Sequence, residues 1–425
     1  MAVNINSTWA MRLERLLMPL PVHSVRSLAS MSIQINIANN FAGLALDVAA
    51  DLRSFRDIFR ETLQNPTLPN LNTALLRAAA IGHTNGVIIA LEKGANVNLA
   101  DDGLGHTALM HAANSGQRET AALLIERWAD VNWLDEEGKT ALMHAANRGH
   151  REMAALLIEK GADVNLADID GTTALMNAAW EGHGDLAALL IERVADVNWS
   201  DEDGKIALMF AAGGGHRDIA ALLIESGGDV NWENSKGKTA LMFAALGGHR
   251  DIAALLIEKG VDVNLADRDG KTALMHAALG GHRDIAVLLI ERGANVNLAD
   301  RDGTTALVHA ARGGHRETAE LLIERGADVN LADRDGTTAL MHAAWGGLRD
   351  IAALLIEIGA DVNRIDRKGT TALMHAIMEG YRDIAALLIE IGADINRANR
   401  DGKTALLLAA LGSHRDIEEM LKRKS

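Results

Sequence analysis

The sequence predicts an all-α solenoid: helix-turn-helix units stacked along one axis and joined by β-turn or hairpin loops. Three observations carry that prediction. Thr-Ala-Leu begins at Thr73, Thr107, Thr140, Thr173, Thr239, Thr272, Thr305, Thr338, Thr371 and Thr404, with Ile206-Ala-Leu filling the gap, so the first interval is 34 residues and each later one 33. The composition is skewed as a copied short unit would skew it, with 40 Gly but 4 Pro and one Tyr in 425 residues. A chain of that length with 48% apolar residues exceeds what one globular core holds, leaving several domains or a repeat array.

One unit, Asp267-Arg-Asp-Gly-Lys-Thr272-Ala-Leu-Met-His-Ala-Ala-Leu-Gly-Gly-His282-Arg-Asp-Ile-Ala-Val-Leu-Leu-Ile-Glu-Arg-Gly293-Ala-Asn-Val-Asn297-Leu-Ala, justifies each element in order. Asp-x-x-Gly is turn chemistry, with Gly270 free to take positive φ. Thr272 is placed to cap a short helix by accepting a backbone N–H. Ala277 and Ala278 on that helix are small enough for a neighbour to approach closely, and Gly280 and Gly281 end it. A second helix from about Arg283 to Arg292 sets Ile285, Leu288 and Leu289 at i, i+3, i+4, a narrow apolar stripe. Gly293 suits a left-handed C-cap, and Ala-Asn-Val-Asn leads to the next turn. No unit buries its stripe alone; stacked neighbours do, giving a one-dimensional core. The extra residue of the first interval falls in Asp101-Asp102-Gly103-Leu104-Gly105, a loop where insertion costs little.

The period and the pattern Asp-x-x-Gly-x-Thr-x-Leu-x-x-Ala-Ala…Gly-His…Leu-Leu-Ile…Gly-Ala-Asp-Val-Asn resemble the ankyrin repeat, over about residues 70–425 and eleven tandem copies. One departure is systematic: the family's Thr-Pro-Leu-His is Thr-Ala-Leu-Met here, with His one residue later, so another contact must replace the usual histidine hydrogen bond at that corner. Trp128 and Val194 stand where the family has the C-cap Gly. A left-handed conformation there costs roughly 1–2 kcal/mol, so a different cap geometry is expected.

Domain organisation follows from where the pattern fades. Residues 1–35 are expected to be a tail or targeting segment: up to Ala45 the only acid is Glu14, against Arg12, Arg15 and Arg26, with several Ser. Residues 36–69 read as a degenerate helical cap, since Ala45–Ala50 and Arg56–Leu63 echo the repeat, closed by a turn at Pro66–Pro69. Residues 70–425 are the repeat domain, and Glu418 and Lys422 replace Ala and Ile of internal units as a polar end cap should.

Several functions are excluded or disfavoured. A net charge of −15 opposes nucleic-acid binding, which needs a basic face. The absence of cysteine removes disulfides and thiolate sites and fits a reducing compartment, so a cytoplasmic location is expected. No uninterrupted apolar stretch reaches 18 residues, and no membrane contact is expected except through the N-terminal segment. Gly-Lys-Thr at Gly138, Gly237, Gly270 and Gly402 lacks the glycine five residues earlier that a phosphate loop needs; Trp133, Trp232, Leu265 and Arg397 stand there.

Histidine forms two ladders: His111, His144, His276, His309, His342 and His375 in the first helix, interrupted by Asn177, Phe210 and Phe243, and His83, His150, His183, His216, His249, His282, His315 and His414 in the inter-helix turn. Equivalent residues of packed units lie about 8–10 Å apart. Zinc bonds of about 2.0–2.1 Å need ligands closer than that, so neither ladder is expected to bind metal and the turn histidines are assigned local hydrogen bonds. The columns of Glu near the end of the second helix, and of Arg at its start, read as solvated faces of little energetic weight. Catalysis needs different groups converging in one pocket, so no catalytic residue or cofactor is expected.

The resemblance implies partner proteins on a concave face lined by turn tips and first helices. Residues that break the repeat there are the candidates: Trp180 and Trp345 near the end of the first helix, Phe210 and Phe243 in place of His, and Met378 and Tyr381 in the tenth unit, with His144, His276, His309, His342 and His375 beside them. Trp133, Trp199 and Trp232, alternating with Leu at the hairpin base, read as packing. The reading is a protein-interaction scaffold, not an enzyme; its rival is a targeting arm anchored through residues 1–35, with the repeats as a spacer.

Overall fold

A computed structural model describes residues 67–424. The expected tail at 1–35 and the cap at 36–69, apart from its last three residues, lie outside the described residues. Within them 22 helices follow one another as eleven pairs, each a first helix of seven to thirteen residues and a second of nine or ten. First helices pack on first helices of the neighbouring units, and second helices on second helices. Antiparallel single bridges such as Ala266 with Thr272 close the hairpins between pairs. No helix among the described residues is long and apolar enough to cross a membrane.

The unit starting at Asp267 shows why these residues fold so. Asp267 Oδ1 accepts the N–H groups of Asp269 and Lys271 at 3.0 and 2.9 Å, which shapes the turn, and Gly270 takes φ +85°. A Cβ on Gly270 would meet the Arg301 nitrogen at 2.8 Å, because the next hairpin hydrogen-bonds here, Arg301 N–H to Asp269 O at 2.7 Å. Thr272 Oγ1 accepts from Met275 N–H, and the helix Ala273–Gly280 ends on left-handed Gly281. Ala273, Leu274, Met275, Ala277 and Ala278 are buried, as are Ile285, Ala286, Leu288 and Leu289 of the second helix, Arg283–Glu291. Full burial of each large side chain contributes about 1.5–3 kcal/mol, enough to hold helices too short to persist alone.

Polar rungs join each unit to the next. Asn264 Oδ1 accepts from Asn295 N–H at 2.9 Å while its Nδ2 donates to Gly293 O at 3.1 Å, and Asn132, Asn165, Asn198, Asn297 and Asn330 repeat the arrangement. The turn histidines bridge as well. His83 makes the expected local bond, its Nδ1 accepting from Gly86 N–H at 2.8 Å, but from His150 to His315 the partners are carbonyls of the preceding unit: His216 Nε2 donates to Trp180 O at 2.9 Å, His249 to Gly213 O at 3.0 Å and His282 to Leu246 O at 3.0 Å. A carbonyl only accepts, so Nε2 carries the proton. The glycine before each such turn leaves room for the next histidine; a Cβ on Gly248 would sit 2.6 Å from His282 Cε1.

Two local expectations are corrected. Of the turn expected at Pro66–Pro69, Pro66 lies outside the described residues, and Leu68 and Pro69 already belong to the helix Leu68–Ala80, whose N-cap is Thr67. Proline is tolerated in a first turn, whose N–H groups have no intrahelical partner. Thr73 therefore lies inside that helix, its hydroxyl donating to Pro69 O at 3.0 Å, and does not cap it. Trp128 and Val194 do adopt the left-handed cap, at φ +69° and +66°. At the equivalent Gly161 and Gly260 a Cβ would meet nothing within 4 Å, so only torsional strain opposes a side chain. The Trp128 and Val194 carbonyls also receive the Asn98 and Asn165 amides at 3.2 Å, which secures the cap. At the C-terminal end Glu418 pairs with Lys422 one turn on, so the replacements that mark the cap bond each other.

Candidate functional site

The first helices carry two kinds of side chain where the repeat varies. The first kind is histidine. His144, His276, His309, His342 and His375 each place Nε2 3.0–3.4 Å from the second carboxylate oxygen of the aspartate in their own turn: Asp135, Asp267, Asp300, Asp333 and Asp366. This bond replaces the corner contact that the shift of His by one residue removes. It also withdraws two of the expected partner-facing residues. His276 and His309 are 3% and 6% exposed, whereas His144, His342 and His375 are half-buried. Burial holds these imidazoles below the ordinary histidine pKa, and for His276 the nearby Lys238 charge acts in the same direction. The Nδ1 atoms of His276, His309 and His342 are buried without a protein partner, as suits a neutral ring donating through Nε2.

The second kind is aromatic, and it gathers where the histidine ladder stops. Phe210 and Phe243 occupy two consecutive histidine positions, in Ala207–Gly214 and Ala240–Gly247. The turn changes with them: Asp201, facing Phe210, has no imidazole, and burial raises its pKa despite Lys205; Asn234 replaces the aspartate facing Phe243. Trp180, at the end of the helix Ala174–Glu181, stands edge-on to Phe210 with ring centroids 6.2 Å apart at 90°. The Lys205 ammonium lies 5.7 Å from the Phe210 ring centre, within cation–π range.

Gly213 keeps this corner open. It holds the position that Trp180, Leu246, Leu279, Trp345 and Met378 fill in other units. A Cβ there would lie 3.6 Å from Trp180 Cζ3 and 3.9 Å from Phe243 Cδ1. The result is a cleft of about 500 Å³ walled by Trp180, Phe210, Phe243 and Leu246, with Met176 and Met209 beneath. Trp180 is 52% exposed over it, while the two Phe rings are half-buried against the core. His216 and His249 pin the Trp180 and Gly213 carbonyls, so the cleft sits on braced backbone.

The remaining candidates do not join this cluster. Trp345 is equally exposed but lies five units away, its indole N–H donating to Glu379 Oε1 at 3.1 Å. Met378 is exposed at the next equivalent position. Tyr381 is in the inter-helix turn, where it takes the place of the bridging histidine and packs under Gly347. Trp199 and Trp232 tether the hairpins, donating to Gly171 O and Gly204 O at 3.1 and 2.8 Å. Sequence reasoning passed over the function of Gly213 and Lys205, and it passed over His106, which belongs to neither histidine ladder. The signals were a glycine inside a column of large residues and a histidine directly after the inserted loop.

A search of curated proteins finds no match to the chain. A family model describing ankyrin repeats in three copies matches residues 46–135, 122–201, 189–267, 208–300, 274–366, 328–399 and 358–425. With those overlapping matches running along most of its length and the helix pairs, hairpins and left-handed caps in place, the chain belongs to the ankyrin-repeat family.

Proposed function

We propose that this chain is a protein-binding scaffold whose first-helix face takes an apolar anchor from its partner in the cleft between Trp180, Phe210 and Phe243. Ankyrin repeats are generally protein–protein interaction modules. The observation that carries the reading is the coincidence of four departures from an otherwise uniform repeat: an added Trp, two added Phe and a Gly that leaves the space between them empty. Buried histidine–aspartate pairs would have served stability at these positions. Aromatic walls on braced backbone instead bring contact area at low entropy cost, as binding hot spots do.

The net charge of −15 favours a partner rich in Lys or Arg through long-range attraction, while the charged residue lining the cleft itself is Lys205. Leu246 and Leu279 continue an exposed apolar column away from the cleft. Trp345 and Met378 start a second patch, on the order of 50 Å along the axis at about 10 Å per unit, where a large partner would make further contacts. His144, His342 and His375 border this face.

Panning a random peptide-display library on the immobilised full chain tests the proposal. Selected peptides are expected to carry an aromatic or aliphatic anchor and a net positive charge, and to lose binding to Gly213→Leu, which fills the cleft. Peptides that bind Gly213→Leu as well as the wild type would place the site elsewhere.

A further inference from the structure

We propose that His106, Asp135 and His144 form a site for one divalent transition-metal ion of the zinc class, clipping two consecutive repeats together. His106 belongs to the hairpin before the helix Ala108–Asn114; Asp135 and His144 belong to the next hairpin and to the helix Ala141–Asn147. The inserted loop delivers His106 to the junction: Asp101 Oδ1 accepts the N–H groups of Gly103, Leu104, Gly105 and His106 at 3.0–3.2 Å, winding the extra residue into a tight turn.

The donor atoms converge on one oxygen. His144 Nε2 lies 3.0 Å and His106 Nε2 3.3 Å from Asp135 Oδ2, and the three donors fall within 4.8 Å of one another. A tetrahedral ion with bonds of about 2.0–2.1 Å sets its ligand atoms roughly 3.3–3.5 Å apart, so the His106–Asp135 edge at 3.3 Å is at ligand spacing already and the His144–Asp135 edge at 3.0 Å reaches it by a small side-chain shift. The other oxygen, Asp135 Oδ1, is fixed by the N–H groups of Glu137 and Lys139 at 3.0 and 2.8 Å, the outer-shell support that orients a ligating carboxylate. The Lys139 ammonium is drawn aside to Glu137 at 2.6 Å. The side chains of His106 and His144 remain 21% and 14% exposed, which gives an ion entry and leaves room for water as a fourth ligand.

The array supplies its own controls. The pairs His276–Asp267, His309–Asp300, His342–Asp333 and His375–Asp366 repeat the imidazole–carboxylate bond. The position equivalent to His106 is Lys238, Lys271, Thr304 and Thr337 at those junctions, a competing cation or a weak ligand. Among the described residues, groups able to hold an ion occur only around His106. The spacing argument against the two ladders does not reach it, because His106 comes from a different register of the preceding unit. Asp101 and His111, bonded at 3.1 Å, make a second triad with His106, and sharing that imidazole limits the junction to one ion. Two imidazoles and a carboxylate suit zinc, and the same set disfavours calcium and magnesium, which take oxygen ligands.

The test is calorimetric titration of the chelator-stripped full chain with zinc chloride, paired with thermal melting. One zinc per chain in the tightest class is expected, together with a rise in melting temperature. His106→Thr, which installs the residue found at 172 and 304, should weaken that class at least tenfold and abolish the thermal shift, while His276→Asn leaves both intact. Should His106→Thr misfold, His144→Asn, copying Asn177, carries the same expectation. Absence of a stoichiometric zinc site, or equal zinc affinity in a folded His106 or His144 variant, overturns the proposal.

Discussion

His276 and Asp267 meet at 3.1 Å between Nε2 and Oδ2, with both side chains almost wholly shut away from solvent. The bond ties the first helix of a unit to its own hairpin turn. It is made by a ring kept neutral by burial, and that has a consequence for acid stability.

The six first-helix histidines His111, His144, His276, His309, His342 and His375 have pKa values lowered from 6.5, chiefly by burial. Between 6.5 and their lower folded values the unfolded chain binds more protons than the folded one. Their stability contribution is therefore complete above about pH 6.5 and is lost as the pH falls through the folded values, with a slope of up to about 1.4 kcal/mol per pH unit per ring. Urea denaturation between pH 7.5 and 5 should show this fall. The double change His276→Phe with Asp267→Asn copies the Phe243–Asn234 combination and should make it shallower; an unchanged slope would remove His276 from the explanation.

The fold was legible in the sequence because one physical unit is written many times over, so each local reading of turn, cap or apolar stripe was checked by its copies. Legibility failed where contacts cross between units. The segment Ala-Asn-Val-Asn and its copy Val261-Asp-Val-Asn264 lead locally to the next turn, and only stacking brings Asn264 Oδ1 to Asn295 N–H. The turn histidines misled for the same reason. The cleft was half legible: Trp180, Phe210 and Phe243 stood out as exceptions, but the space above Gly213 exists only once three units lie side by side. No sequence motif singled out His106, and only the stack sets it beside Asp135.

Val194 holds a left-handed cap at φ +66° while 80% of it faces solvent. Val194→Gly should therefore stabilise the chain by about 1 kcal/mol, the strain of a β-branched residue less the entropy of the added glycine. Chemical denaturation measures it; a loss of stability would show that Val194 makes contacts that outweigh its strain.

Asn264→Ala removes both rungs between its unit and the next. At this exposed site about 1–2 kcal/mol should be lost. Because a repeat array is stabilised by nearest-neighbour interfaces, the unfolding transition should also broaden. A transition as sharp as the wild type's, with no change in midpoint, would mean that the rung carries no coupling.

The most direct measurement is the affinity of a display-selected peptide for three chains: wild type, Trp180→Ala and Trp345→Ala. With the anchor seated between Trp180, Phe210 and Phe243, Trp180→Ala should weaken binding by tenfold or more at an unchanged melting temperature, while Trp345→Ala stays within twofold of wild type. Equal affinity of the Trp180→Ala and wild-type chains would contradict the assignment of the cleft as the partner-binding site.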